Sequence, residues 1–322
     1  MGFLTKYGSA WGAIPMTGGS VFWVAPSASY TVDGKAYSAS DDHDGLSPER
    51  AKLTIGSAVT AATANVGDVI ALLPGAHTTA AALAVSKAGL TFVGLPYMPE
   101  GDGVQATPQV SITGTAAIGV AVTAADVSFY NITFVPITQF QAVTFTTAAN
   151  RLRFKHCMVD LTGVTGHANT KGITGTGATQ APRRLRLQGC WLKAGVATTS
   201  SGYALDVSAA VEFMVEKCVV WHDGFVASAV AWTAAIKVND NATGMFRDNE
   251  LIASNVAVAV TGFIVGVTHT GAGAIQFVRN TTTVNTSGAP FTGWAAADCD
   301  LCLNYVATVA GGTGGTLVTS TT

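Results

Sequence analysis

Short apolar runs alternate with polar and glycine-rich stretches along most of the chain, and from about residue 66 to residue 310 this texture does not change. Uniform texture calls for a search for internal repeats before any division into domains. Six runs fall into one register: L-R-F-K-H-C (152 to 157), L-R-L-Q-G-C (185 to 190), F-M-V-E-K-C (213 to 218), G-M-F-R-D-N (244 to 249), I-Q-F-V-R-N (275 to 280) and C-D-L-C-L-N (299 to 304). Each ends in Cys or Asn. Three positions before that ending stand Phe154, Leu187, Val215, Phe246, Phe277 and Leu301; two further back stand Leu152, Leu185, Phe213, Gly244, Ile275 and Cys299. Apolar residues with period two predict strands with one buried face. Two positions beyond the ending, Val159, Leu192, Val220, Leu251, Thr282 and Val306 resume the pattern, which places a corner of the chain at the Cys/Asn position.

From Cys157 to Asn304 the endings span 147 residues in five steps, about 29 each. A period of this size with short strands in every repeat predicts an all-β parallel solenoid, in which each coil covers the open edge of its neighbour. An antiparallel sandwich would instead show hairpin turns and no fixed repeat. The earlier run 127–132 fits if Ile132 takes the Cys/Asn place, with Asn131 one residue short of it.

A different signal precedes the repeats. Asp41, Asp42, His43, Asp44 and Gly45 lead into Ser47, Pro48 and Glu49, followed by Leu53, Ile55, Ala58, Val59 and Ala62. Ser47 as N-cap, Pro48 at the first helical position and Glu49 in the first turn predict an amphipathic helix that covers the open end of the solenoid. The expected division is an N-terminal arm and leading strand over 1–45, a capping helix over 46–66, the solenoid over 67–310 and a Gly/Thr-rich tail over 311–322.

The segments V-F-W-V-A-P (21 to 26), D-G-L-S-P-E-R-A (44 to 51), G-D-V-I-A-L-L-P-G (67 to 75) and L-T-F-V-G (90 to 94) resemble the capped opening of pectin-lyase-like right-handed parallel β-helices. Asn at coil corners is also familiar there. The resemblance implies a right-handed single-stranded parallel β-helix with an N-terminal capping helix. Such proteins are common among virion proteins of tailed bacteriophages, both as tailspikes and as head-associated proteins. It therefore implies a virion structural protein, first a head decoration or cement protein on the capsid exterior. A tailspike that binds or cleaves host cell-surface polysaccharide is the alternative, and a free polysaccharide lyase or hydrolase comes third. A homotrimer is expected by the same resemblance, with the major capsid protein or another virion protein as partner. Fold specifies function poorly, so the site has to be read separately.

Composition narrows the partners. The 322 residues are 48% hydrophobic and 11% charged, with 17 basic and 19 acidic side chains and a net charge of −2. That balance argues against disorder and against a nucleic-acid partner. The longest apolar runs, 256–260 and 263–267, fall far short of the roughly 20 residues of a membrane-spanning helix. Residues 1–8 contain neither an apolar h-region nor a small-residue cleavage site, so no signal peptide is expected and the protein is expected to reach the virion from the host cytoplasm. Lys6 stands where myristoylation of Gly2 would want Ser or Thr. Five cysteines without disulfide-like spacing read as reduced thiols, and the N-x-[ST] triplets at Asn131, Asn241, Asn280 and Asn285 then carry no weight.

Cleaving a polysaccharide would need two or three carboxylates on neighbouring coils. The candidates are Asp160, Asp206, Asp223, Asp240, Asp248 and Glu250. Counted from the corners, Asp160, Asp223, Asp248 and Glu250 occupy four different positions. The segments H-D-G (222 to 224) and N-D-N (239 to 241) match only pieces of polygalacturonase-like motifs. The carboxylates read as turn residues, so no catalytic residue and no enzyme is expected. Asp41, Asp42 and Asp44 could ligate calcium, but the twelfth position counted from Ser40 is Ala51, and capping and a turn account for them. Cys299 and Cys302 lack a second pair, and the histidines at 43, 77, 156, 167, 222 and 269 show no ligand spacing. No metal and no cofactor is expected.

Two surface features point to partners. Positions six, four and two before the corner are Arg151, Arg153 and Lys155, then Arg184, Arg186 and Gln188, then Glu212, Met214 and Glu216. Five cations on one face predict either stacked ion pairs, such as Arg184 over Glu212, or contact with an acidic neighbouring subunit. Phe3, Tyr7 and Trp11, with Phe22, Trp23 and Tyr30, lie among small residues, and such aromatics need burial against the solenoid or a partner. The stretch before Ser47 suits an arm better than a domain, so Phe3, Tyr7 and Trp11 are expected to anchor to the capsid. A glycan stays open as a further ligand.

Overall fold

The computed structural model describes residues 18–32, 34–95, 110–114, 118–136, 141–161, 171–175, 183–194, 203–208, 210–222, 234–239, 242–253, 262–267, 275–284, 291–292, 299–302, 304–308 and 316–318. Within them the chain winds as a right-handed parallel β-helix whose coils each contribute a strand to three sheets. The first sheet runs from Val21–Val24 through Arg153–Lys155 and Arg186–Gln188 to Cys299–Cys302. A second sheet runs from Gly75–Thr79 to Asn304–Thr308, where Thr316–Val318, inside the expected tail, adds an antiparallel strand. The third runs from Leu83–Val85 to Phe291–Thr292. No helix among the described residues is long and apolar enough to cross a membrane.

The predicted register holds. Phe129, Phe154, Leu187, Val215, Phe246, Phe277 and Leu301 are successive pairing partners in the first sheet, and Val159, Leu192, Val220, Leu251, Thr282 and Val306 in the second. Phe92, Phe129 and Phe154 stack at centroid distances of 4.8 and 5.3 Å, and Phe246 stacks on Phe277 at 5.3 Å with 7° between the rings. Gly244 interrupts the inner row because a Cβ there would overlap the carbonyl and ring of Phe213 on the preceding coil.

The corner between the first and second sheets explains why each run ends in Cys or Asn. The residue just before it is left-handed in every coil from Asn131 to Arg279, with φ of 54° at Asn131, 53° at His156, 52° at Lys217, 56° at Asp248 and 52° at Arg279. Non-glycine residues adopt this conformation at a cost of about 1 kcal/mol or more. Side-chain hydrogen bonds offset it. Asn280 Oδ1 accepts from the backbone N–H and Nδ2 of Asn249, at 3.1 and 2.9 Å, and Asn280 Nδ2 donates to the Phe246 carbonyl at 3.0 Å. Asn304 repeats the arrangement on Asn280 and the Phe277 carbonyl. Cysteine takes the same place earlier: the thiols of Cys157 and Cys190 donate to the carbonyls of Phe129 and Phe154, both at 3.4 Å. Burial pushes the Cys157 and Cys218 thiols well above their ordinary pKa, which keeps them protonated as donors. At the earliest corner Ile132 holds the Cys/Asn place, and Asn131 sits in the left-handed position with Nδ2 donating to the Gly94 carbonyl at 2.9 Å.

The N-terminal end differs from expectation in one respect. The helix does not start at Ser47, whose side chain makes no capping bond; Pro48–Arg50 form a single 3-10 turn, and helix α1 spans Ile55–Ala61 with Thr54 as its cap. Edge pairing wins over the capping signal. Lys52 N–H donates to the Trp23 carbonyl and Ala25 N–H to the Lys52 carbonyl, both at 2.9 Å, so this segment is drawn out along the open edge of Val21–Val24. Ile55, Ala58 and Val59 of α1 then bury against the same core as Phe22 and Ile70. A hairpin, Ser29–Val32 with Lys35–Ser38, covers the outer side of the first strands, where Trp23, Tyr30, Ala71 and Val93 form a second apolar cluster.

Candidate functional site

The three sheets present three different outer faces. On the second sheet, the outer rows mix Met158, Trp191, Val219, Trp221 and Ile252 with Asp160, Lys193 and Glu250, and the two indole rings lie 6.3 Å apart. Trp221 Nε1 is buried without a hydrogen-bond partner among the described residues.

The first sheet carries the cations found in the sequence, and the structure sorts them. Arg151 and Arg184 occupy left-handed positions at the edge of the sheet. Arg151 forms a two-point bond with Asp126, and Arg184 reaches Glu212 at 2.8 Å, each pair joining successive coils. These arginines hold the Asp126 and Glu212 carboxyls below the usual range, chiefly by hydrogen bonding. Arg153 and Arg186 are pairing partners on the outer face, both exposed, with Lys155 beside Gln188 in the next row. Phe3, Tyr7 and Trp11 lie outside the described residues.

The acidic candidates do not converge. Asp248 is left-handed at a corner and bonds Arg279 at 2.7 and 2.9 Å, which lowers its pKa; Asp160 and Glu250 are on the second sheet. Asp223 and Asp240 lie outside the described residues. Around Asp41 the arrangement is an internal one: its carboxylate accepts from Leu53 N–H at 3.1 Å, Thr54 N–H at 2.8 Å and the Thr54 hydroxyl at 2.9 Å. The buried Lys52 ammonium donates to the carbonyls of Asp41 and His43, at 3.1 and 2.6 Å, and so places a tethered cation among the oxygens a calcium ion would seek.

The third sheet holds the cluster that the sequence did not reveal. Val143, Ile173, Leu205 and Ile236 form its inner row, and Thr144, Thr174, Asp206 and Lys237 are partners in the alternate, outward row. Asp206 is 4% exposed, and Lys171 on the preceding coil donates to its Oδ2 at 2.8 Å. A buried carboxylate requires such a partner. Lys237, on the following coil, sets its ammonium 5.2 Å from the centre of the Tyr203 ring. Burial first, then the Asp206 carboxylate, raise the Tyr203 phenol above its ordinary pKa, while Lys171 opposes them. Tyr203 therefore remains a proton donor at neutral pH. Lys171 is paired with the Asp206 carboxylate, and the Lys237 ammonium adds a positive charge beside the Tyr203 ring. That combination suits a sugar ring bearing an acidic group. Among the described residues no second carboxylate joins this row.

The sequence matches no protein-family model and no curated protein. Solved structures do match. A pectin methylesterase from carrot superposes with a TM-score of 0.57 at 14% identity, covering 90% of this chain and 84% of that one. The pectin methylesterase PemA from Erwinia chrysanthemi gives 0.53 at 12% identity over 91% of both chains. An alginate lyase from Paenibacillus sp. gives 0.52 at 12% identity, over 79% and 93%. At these identities the likeness is one of fold, and the fold is the pectin-lyase-like parallel β-helix. The expectation from sequence that the chain is not an enzyme is corrected here. The matched structures are pectin methylesterases and an alginate lyase, covered over most of their length, and the reading that led away from catalysis named Asp206 but, counting from the Cys/Asn corner, gave it no place in a row.

Proposed function

We propose that the protein is a structural component of a tailed-bacteriophage particle, seated on the exterior of the head as a decoration subunit and associating with copies of itself as a trimer. The observation that supports this is the way the N-terminal end is built. The segments 21–26, 44–51 and 67–75, which resemble the capped opening of pectin-lyase-like β-helices, a fold common among phage virion proteins, lie at the first coil, where hairpin, 3-10 turn and α1 pack on its core. In this reading Phe3, Tyr7 and Trp11 serve attachment, and several arms on one multimer act together. The adjacent Trp191 and Trp221 on the outer face of the second sheet are the surface offered to a second copy.

Deleting residues 2–17 spares the bond from Ser20 N–H to Asp68 Oδ1 at 2.6 Å, so the variant is expected to keep its melting temperature and lose binding to capsids of the phage that encodes it. A truncated protein that still labels capsids, or an intact one found by electron microscopy only on tails, would refute the assignment.

The cluster at Lys171, Tyr203, Asp206 and Lys237 favours a second reading: the outer face of the third sheet engages an acidic polysaccharide, as a tailspike does. Polygalacturonate and alginate oligomers are the probes. This reading expects binding or product release that Lys237→Met weakens about tenfold and Asp206→Asn removes. Wild-type protein that neither retains nor alters any acidic glycan would rule it out.

A further inference from the structure

Arg153 and Arg186 pair across adjacent coils, so their backbones lie one strand spacing apart, about 4.8 Å. Like charges set side by side on one face of a sheet repel and lower stability. Elsewhere on this face four arginines are given a carboxylate: Asp126 for Arg151, Glu212 for Arg184, Glu216 for Arg247, and Asp248 for Arg279. Among the described residues Arg153, Lys155 and Arg186 form no ion pair, although Arg153 lies near enough to Asp126 to help lower its pKa. The Arg153–Arg186 row continues into neutral residues, Ser128 before Arg153 and Met214 and Met245 after Arg186, whereas the Lys155 row passes through Gln188 to Glu216, which is paired with Arg247. Met214 and Met245 are half-buried at the margin of the strip.

We propose that this strip docks an acidic polypeptide surface, one that presents carboxylates at the spacing of adjacent strands. The chemistry is already written on the face itself, where Arg151 and Arg184 each hold a carboxylate of a neighbouring coil. A planar guanidinium fork suits that bond. Two observations select a protein over a long polyanion. The chain carries a net charge of −2, which opposes the long-range attraction a nucleic acid or acidic glycan needs, whereas a local acidic patch meets only the local strip. Arginine bordered by methionine is also the composition of protein interfaces, where the thioether adapts to a partner's apolar groups. The proposal is independent of head or tail location and of the aromatic arm.

The test uses the full chain and a short fluorescein-labelled oligoglutamate peptide, with heparin and duplex DNA as competing probes. Arg153→Gln with Arg186→Gln is expected to weaken peptide binding about tenfold, and the effect should shrink as salt is raised. Both side chains are exposed, so the variant should fold, and relief of repulsion should raise its melting temperature. Arg279→Gln, which removes a cation already paired with Asp248, is expected to leave peptide binding in place. Unchanged affinity in the double variant, or tighter binding of heparin or DNA than of the peptide, would overturn the proposal.

Discussion

Phe246→Asp is expected to yield protein that does not fold. Phe246 is fully buried, stacked on Phe277 at 5.3 Å and edge-on to Phe213 at 5.1 Å. Truncating a buried phenylalanine costs about 3–5 kcal/mol, and an unpaired carboxylate in its place adds several more. The sum rivals the roughly 5–15 kcal/mol that holds an ordinary domain together. In a solenoid the damage spreads to the neighbouring coils, because each buries its apolar row only against the next. Soluble expression with an unchanged melting temperature would show that Phe246 does not face the core.

The corner ladder makes the second large prediction. Asn280→Ala removes an acceptor for two donors of Asn249 and a donor to the carbonyl of Phe246, and it leaves Asn304 Oδ1 without the Asn280 side chain. Each buried group left unpaired costs about 1–3 kcal/mol, so a loss of about 4 kcal/mol is expected in urea unfolding. Cys190→Ala at the equivalent corner should cost about 1–2 kcal/mol, since a thiol is a weak donor and its contacts to the Phe154 and Gln188 carbonyls, at 3.4 and 3.5 Å, are long. Equal losses for the two variants would mean that the ladder does not act as a chain of hydrogen bonds.

The two parts of the coil that meet at this corner were readable because Cys or Asn recurs there and apolar residues alternate on either side with few exceptions. The third sheet was not. Its strands, such as Lys171–Gly175, Leu205–Ser208 and Ala234–Asn239, have no common ending and follow connections of unequal length, so nothing in the chain marks Thr174, Asp206 and Lys237 as one row. Aligning the apolar residues Ile173, Leu205 and Ile236 would have exposed the charged positions between them. The helix start was misplaced for another reason. Ser47, Pro48 and Glu49 satisfy local capping rules, but an open sheet edge at Val21–Val24 competes for the same segment, and that edge is brought near only by folding. The cation row was legible as a face, whereas its division into paired and unpaired members depends on which coil lies above which.

The ion pairs that join successive coils run Asp126 to Arg151, Arg184 to Glu212, Glu216 to Arg247, Asp248 to Arg279 and Lys171 to Asp206. Each links one coil to the next and to no other. Solenoids grow and shrink in evolution by copying or dropping whole coils, and a neutral stack would accept either change anywhere. Here, copying the coil that holds Asp248 and inserting it beside the original would set aspartate against aspartate at a left-handed corner, and removing it would bring the Lys217 and Arg279 corners together. The charges therefore act as a weak ordering key: each exposed pair favours the present succession of coils over a duplicated or shortened one by the small margin that an exposed ion pair supplies.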